Sequence, residues 1–367
     1  MADPDRLIVP EDLRAAVAAG IVTEAQAASV SALADSRTGK RLAMPAEDEP
    51  FEFFRGFSEI FVSIGLLILW VGIMALVVLL QGGVVVLPLV SWWLANYFTL
   101  KRRMNLPSMV LTAAFGIGVY WAAFGFLVKL GAVPLYQSMA SFCLAALGMA
   151  AWYRRFRLPF SVFVLGLLVL GAIYSGILSL NGPNPWSSES AGVFLPGGPF
   201  SLQGLFDLKE SPQFAWATLG FGIAAFIAAM WFDTRDPHRL GRYSATAFWL
   251  HILAAPALVN PVALTLWTLG NTTGMLSLAT ALAVIAVLAL VIDRRSFLTA
   301  ALVYIALLIG WVIERQGDGI AWALIVIALG GFVTAIGTWW VPLRSALMRA
   351  LPDFPGKRRL PPYAENA

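Results

Sequence analysis

Hydrophobic and polar positions in this chain come in long blocks. A polar opening of about 54 residues is followed by ten apolar stretches joined by mostly short polar links. Their approximate bounds are 57–80, 83–100, 108–128, 132–152, 159–180, 213–232, 243–262, 274–292, 296–313 and 320–341. At about 1.5 Å per residue, a helix of this length crosses a hydrocarbon core of about 30 Å. The pattern predicts an all-α fold, a polytopic membrane helix bundle of about ten transmembrane helices. It also divides the chain into three parts. Residues 1–54 form a polar N-terminal segment, 55–342 the membrane domain, and 343–367 a basic tail.

Within the polar opening, Pro10 stands where a first helical turn accepts proline, and Gly20 where a helix stops. Thr23 and Gln26 have capping-box spacing, in which hydroxyl and amide satisfy each other's backbone N–H groups. Two short helices are expected, about 10–19 and 24–35. Their apolar content is mostly alanine with Leu13, Val17, Val30 and Leu33, too little for an independent core. Glu47, Asp48, Glu49 and Glu52 then form an acidic run, either a solvated linker or a docking motif. The polar opening holds no apolar core of the kind a signal peptide needs. The run from Phe57 is therefore expected to serve as both insertion signal and permanent span.

Composition agrees with the block pattern. The 367 residues are 59% hydrophobic and 13% charged, with a mean hydropathy of +0.77. A soluble domain carries roughly 25% charged residues. The net charge of +4 does not point to nucleic acid, because the cations sort to one membrane side. With ten spans and both termini cytoplasmic, 22 of the 25 Lys and Arg lie inside, leaving only Lys129, Lys209 and Arg315 outside. That is the bias expected of an inner (plasma) membrane protein. Cys143 is the single cysteine, so no intramolecular disulfide and no zinc cluster is available.

One outer loop is long, about 181–212, and carries Trp186, Phe194, Phe200 and Phe206. Its aromatics suit a membrane surface or a cap over the bundle. Small residues four apart predict close helix contacts at Ala114, Gly118 and Ala122, at Ala172 and Gly176, at Gly220, Ala224 and Ala228, and at Gly331 and Ala335. The segment from Leu343 to Leu351 is expected on the inner membrane face, with Arg344 and Arg349 near headgroups. Five spans plus five would also give two halves of opposite orientation, although the halves share no residue-level similarity.

Candidate chemistry is sparse. His251 lies nine residues beyond Arg242, about 13 Å along its helix, with Ala247, Ala254 and Ala255 as helical neighbours. Pro256 and Pro261 lack an N–H, which frees the carbonyls of Ile252 and Ala257. A free carbonyl beside an imidazole can form a polar pocket in an apolar bundle. The candidate ligand-binding residues are therefore His251, Trp249, Ile252 and Asn260. The competing reading of His251 is a neutral imidazole that locks helix packing. Glu59 is the one acidic residue inside an expected span, and Arg55 four residues earlier offers an ion pair near the headgroups. No HExxH, GxSxG, P-loop, or histidine or cysteine cluster occurs. No catalytic residue, cofactor or metal is implied, and an enzyme is the least supported class.

The N-terminal run Gly20-Ile21-Val22-Thr23-Glu24-Ala25-Gln26-Ala27, placed before many spans, resembles uncharacterised bacterial polytopic inner-membrane proteins of the domain-of-unknown-function class. The resemblance implies a cell-membrane location and no activity. Two functions are expected to compete. One is a transporter-like bundle binding a small solute near the seventh span. The other is a non-catalytic scaffold or regulator that binds another membrane protein through the N-terminal segment. The remaining expected partner is the lipid bilayer, and no nucleic acid is expected.

Overall fold

A computed structural model of the chain describes residues 10–23, 57–79, 83–181, 206–235, 242–297 and 320–357, with a few single positions besides. Among the described residues the chain is all-helical, with no strand.

Helix α1 (Pro10–Ala18) opens on Pro10 and stops at Gly20, whose φ is +71°. The capping box after it forms as the spacing requires. The Thr23 amide donates to Gln26 Oε1 at 2.9 Å, and the Gln26 amide to Thr23 Oγ1 at 3.2 Å. Most of the expected 24–35 helix, the acidic run and Arg55 lie outside the described residues.

The apolar blocks become α2 (Phe57–Leu79), α3 (Val86–Ala95), α4 (Asn105–Lys129), α5 (Pro134–Phe156) and α6 (Phe160–Asn181). They continue as α7 (Pro212–Asp233), α8 (Arg242–Thr268), α9 (Thr272–Ile292), α10 (Ile320–Thr338) and α11 (Trp340–Ala350). Six are long and apolar enough to cross a membrane: α2, α4, α6, α7, α8 and α9. Helix α3 runs on into a π-helical turn, Asn96–Lys101. Helix α5 has the length, 23 residues, but its first two turns carry Tyr136, Gln137, Ser138 and Ser141. The ninth expected stretch, 296–313, falls largely outside the described residues.

The structure alters several expectations. Helix α8 does not end near residue 262 but continues through both prolines to Thr268. Around the second proline, Thr265 Oγ1 donates to the Pro261 carbonyl at 2.7 Å, and the Tyr304 hydroxyl to Asn260 Oδ1 at 3.0 Å. The last stretch forms one helix that ends at Thr338, three residues short of 341, and the arm Trp340–Ala350 leaves Val326–Thr338 at 84°. Arg344 does not face headgroups. It is buried, 3.5 Å from Asp293 Oδ1, and donates to the Pro361 carbonyl at 2.7 Å. Glu59 is buried too, and its Oε2 accepts the Asn105 and Leu106 amides at 3.1 and 3.2 Å. It therefore caps the positive end of α4, a better use of a buried carboxylate than an exposed pair.

Small residues set the close approaches, though not all at the expected positions. A Cβ on Gly118 would stand 3.0–3.1 Å from Leu87 and Pro88, so α4 rides directly on α3. Gly220 meets nothing within 4 Å and, with Ala224, faces outward. Likewise Gly331 meets nothing within 4 Å among its described surroundings. The buried row of α7 is Thr218, Gly222, Ala225, Ala229 and Asp233. Gly222 sits 3.1 Å, measured from its would-be Cβ, from the Ala257 backbone of α8.

Packing centres on α8. In its most apolar window 67% of residues are buried, against 17–39% for the other five spans. Around α3 to α6, Trp92, Phe115, Trp152 and Phe156 interlock at ring separations of 4.4–5.7 Å. The Trp152 Nε1–H donates to Thr112 Oγ1 at 3.1 Å, so this buried indole is satisfied. The far end of α8 is tied by the tail of the long loop. Asp207 is 1% exposed, and Thr268 and Thr265 donate to its carboxylate at 2.6 and 3.5 Å. The Lys209 amide adds a third bond at 2.7 Å. Burial alone would raise the Asp207 pKa. The bonds from Thr268, the Lys209 and Glu210 backbone and Thr265 outweigh it and hold the carboxyl below its ordinary 3.8.

Candidate functional site

Helices α7 and α8 form an antiparallel hairpin, and its contact face explains where His251 goes. Ala247, Ala254 and Ala255 are fully buried beside it, as their spacing implied. With no bulk there, α7 comes close enough for the imidazole to reach the last turn of α7. His251 Nε2 lies 2.8 Å from Asp233 Oδ2. A third charged group comes from the turn after α9. Asp293 takes a left-handed conformation, φ +56°, and the Arg294 amide returns to the Ala289 carbonyl at 3.0 Å. This reversal aims Arg294 back into the bundle. Its guanidinium grips both carboxylate oxygens of Asp233, with Nε 3.2 Å from Oδ2 and Nη2 on Oδ1. Nη2 also lies 3.5 Å from the Ser244 carbonyl at the start of α8.

All three side chains are withdrawn from solvent, with exposures of 3% for Asp233 and 0% for His251 and Arg294. An ionised carboxylate only accepts hydrogen bonds, so His251 carries its proton on Nε2. Phe226 and Phe297 stand edge-on to the imidazole at ring separations of 5.8 and 6.0 Å. Phe297 has a second role. With Leu258, Val262, Leu276, Val284 and Leu288 it lines a 620 Å³ apolar groove between α8 and α9. Ser277 and Thr280 supply polar groups along it.

The same turn is held from its other side. The Trp340 indole N–H donates to Asp293 Oδ1 at 2.8 Å, and Arg295 lies over the Trp340 ring at 5.2 Å. Adjacent residues thus engage two different parts of the fold. Asp293 binds α11, and Arg294 the buried Asp233.

The four expected binding residues do not converge. Trp249 faces α6, where its ring meets Phe160 and Phe163 at 4.7 and 5.3 Å. Two residues along a helix is a turn of about 200°, so Trp249 and His251 point apart. Asn260 is nine residues from His251 and holds Tyr304. Ile252 is half-buried on the adjoining face. The polar residue that meets His251 is Asp233, which Arg294 also holds. Hydropathy placed both just outside the spans, as ordinary interfacial charges. The available signal was an acid ending one apolar block, an arginine following another, and a histidine two turns inside the intervening block. The expectation that Glu59 is the one acidic residue inside a span is corrected by Asp233, the last residue of α7, which is buried as well.

Among the described residues no group of three or more His, Cys, Asp or Glu is placed to hold a metal ion. The buried trio contains no nucleophile beside a base. Its capacity is to hold, exchange or neutralise charge within an apolar bundle. Comparison with known proteins finds no matching family model, no similar curated protein and no similar solved structure.

Proposed function

We propose that this chain is a ten-span protein of the cell inner (plasma) membrane, both termini cytoplasmic, that binds a small solute in the manner of a transporter. The solute site adjoins Asp233, His251 and Arg294 and continues into the groove behind Phe297. The observation that carries this reading is the buried trio. Taking an ion pair out of water costs several kcal/mol per ion, and an apolar replacement is often as stable. Ionisable groups inside a membrane bundle therefore mark solute or ion paths more often than they serve stability.

The distribution of cations supports the threading. Arg294 meets the end of α7, and Trp249 near the start of α8 meets Phe160 at the start of α6. Arg155 at the end of α5 meets Asn96 beyond α3. The basic links near residues 102, 155, 235 and 294 thus gather at one end of the bundle, the end that basic-loop retention assigns to the cytoplasm. The resemblance of residues 20–27 to bacterial inner-membrane proteins agrees with this location.

Thiol access tests the solute site. In a Cys143→Ala background, single cysteines replace Ser277 in the groove and Ser244 beside Arg294. A membrane-impermeant thiol reagent is applied to intact cells and to inverted vesicles. Labelling at both positions from one side is the expected result, because a solute path needs water. Folded protein that labels at neither position from either side refutes the reading.

A further inference from the structure

Beyond the solute site, we propose that the π turn after α3 and the end of α5 together form a binding site for the phosphate headgroup of an anionic phospholipid. Sequence assigns Lys101, Arg102 and Arg103, and Arg154, Arg155 and Arg157, to the same membrane side. The structure brings the two links together at one point. Arg155 Nη2 donates to Asn96 Oδ1 at 3.3 Å, which joins the two links. Asn96 is fixed in turn, because its Nδ2 donates to the Trp92 carbonyl at 2.9 Å where the helix widens into the π turn.

All six cations are exposed, and among the described residues none has a carboxylate within salt-bridge distance. Glu59, which reaches the start of α4, spends its carboxylate on backbone amides. Two of the arginines are oriented by neutral groups instead. Arg102 Nε donates to the Tyr97 hydroxyl at 3.0 Å, with the guanidinium 5.6 Å from that ring. Arg155 stacks 5.7 Å from the Phe156 ring. These neutral partners leave each guanidinium its charge, and its remaining N–H donors can take an oxyanion, which a planar guanidinium binds in a two-pronged fork.

The backbone adds a second argument. Arg103 and Arg157 adopt left-handed conformations, φ 52° and 51°, where glycine or asparagine costs least. Both positions hold arginine nonetheless.

Depth and flanking groups select a lipid as the source of the phosphate. Helix α3 and its π turn comprise 10 and 6 residues, so their end stays at headgroup level rather than projecting into the aqueous phase. Trp93 and Tyr97, 74% and 42% exposed, flank the cations as interfacial aromatics do. Basic surfaces between helix ends on the cytoplasmic side are suited to anionic headgroups.

Native mass spectrometry of the full chain, released from micelles with added phosphatidylglycerol or phosphatidylcholine, tests the site. Wild type is expected to retain phosphatidylglycerol preferentially. The Arg102→Gln/Arg155→Gln variant is expected to lose that preference by roughly tenfold or more. Arg349→Gln, an exposed cation on α11, is expected to keep it. All three positions are exposed, so the substitutions leave the core intact. Three results overturn the proposal: no preference in wild type, an unchanged preference in Arg102→Gln/Arg155→Gln, or an equal loss in Arg349→Gln. None of these outcomes touches the solute site, whose test reads residues 244 and 277.

Discussion

Replacing Asp233 by asparagine tests whether the trio is one coupled unit. The carboxylate and the Arg294 Nε are 3.2 Å apart, and both side chains are almost wholly buried. At an effective dielectric of about 20, two unit charges at that distance attract by about 5 kcal/mol. The desolvation of each ion costs several kcal/mol, so the intact pair nets close to zero. Removing one partner keeps the cost and loses the attraction. Asp233→Asn and Arg294→Met are each expected to destabilise by about 3–5 kcal/mol. The double variant, with no buried charge left, is expected to cost only about 0–2 kcal/mol. His251→Leu removes one charge-assisted hydrogen bond and adds apolar volume. Its cost is expected below that of Asp233→Asn, since such a bond is worth about 1.5–3 kcal/mol. Reversible unfolding in mixed micelles, followed by tryptophan fluorescence, measures all four. Single variants that cost under about 1 kcal/mol, or a double variant equal to their sum, would refute the coupling. A larger loss from His251→Leu than from Asp233→Asn would make histidine the main counter-group.

Two further expectations rest on other parts of the fold. Gly222→Val forces bulk against the Ala257 backbone and is expected to cost about 1–3 kcal/mol, whereas Gly220→Val, in open surroundings, is expected to be near neutral; unfolding of the purified variants separates them. Asp207 has a pKa below its ordinary 3.8, so its ionised form is favoured by folding. The stability it adds is present above 3.8 and is lost as pH falls through the lower folded value. The difference in thermal midpoint between wild type and Asp207→Asn is therefore expected at neutral pH and should vanish on acidification below 3.8; a difference that grows instead would reverse the sign of the argument.

Much of the helical order could be read from residues alone. Pro10, Gly20 and the Thr23–Gln26 box act through local backbone chemistry, which needs no tertiary partner, and the structure shows all of them. The alanines around His251 likewise signalled a close neighbour. What stayed hidden depended on partners distant in sequence. Asp233 and His251 meet because α8 begins beyond the end of α7, so a histidine counted as deep lies level with the last turns of its neighbour. Arg294 reaches them only because Asp293 takes a left-handed φ, which hydropathy does not encode. The row of small residues on α7 was misplaced by one or two positions for a similar reason. Gly220 and Gly222 look alike in a spacing pattern, and only the direction of α8 distinguishes them.

The trio also imposes an order on biosynthesis. Asp233 and Arg294 are 61 residues apart, and at about 5–20 residues per second the arginine is made about 3–12 s after the carboxylate. His251 follows Asp233 by only 18 residues. During the interval the newly inserted hairpin holds an acid whose permanent counter-charge does not yet exist. The imidazole is then the available custodian of that acid, and a ribosome paused between α8 and α9 would expose whatever machinery shelters the hairpin until Arg294 arrives.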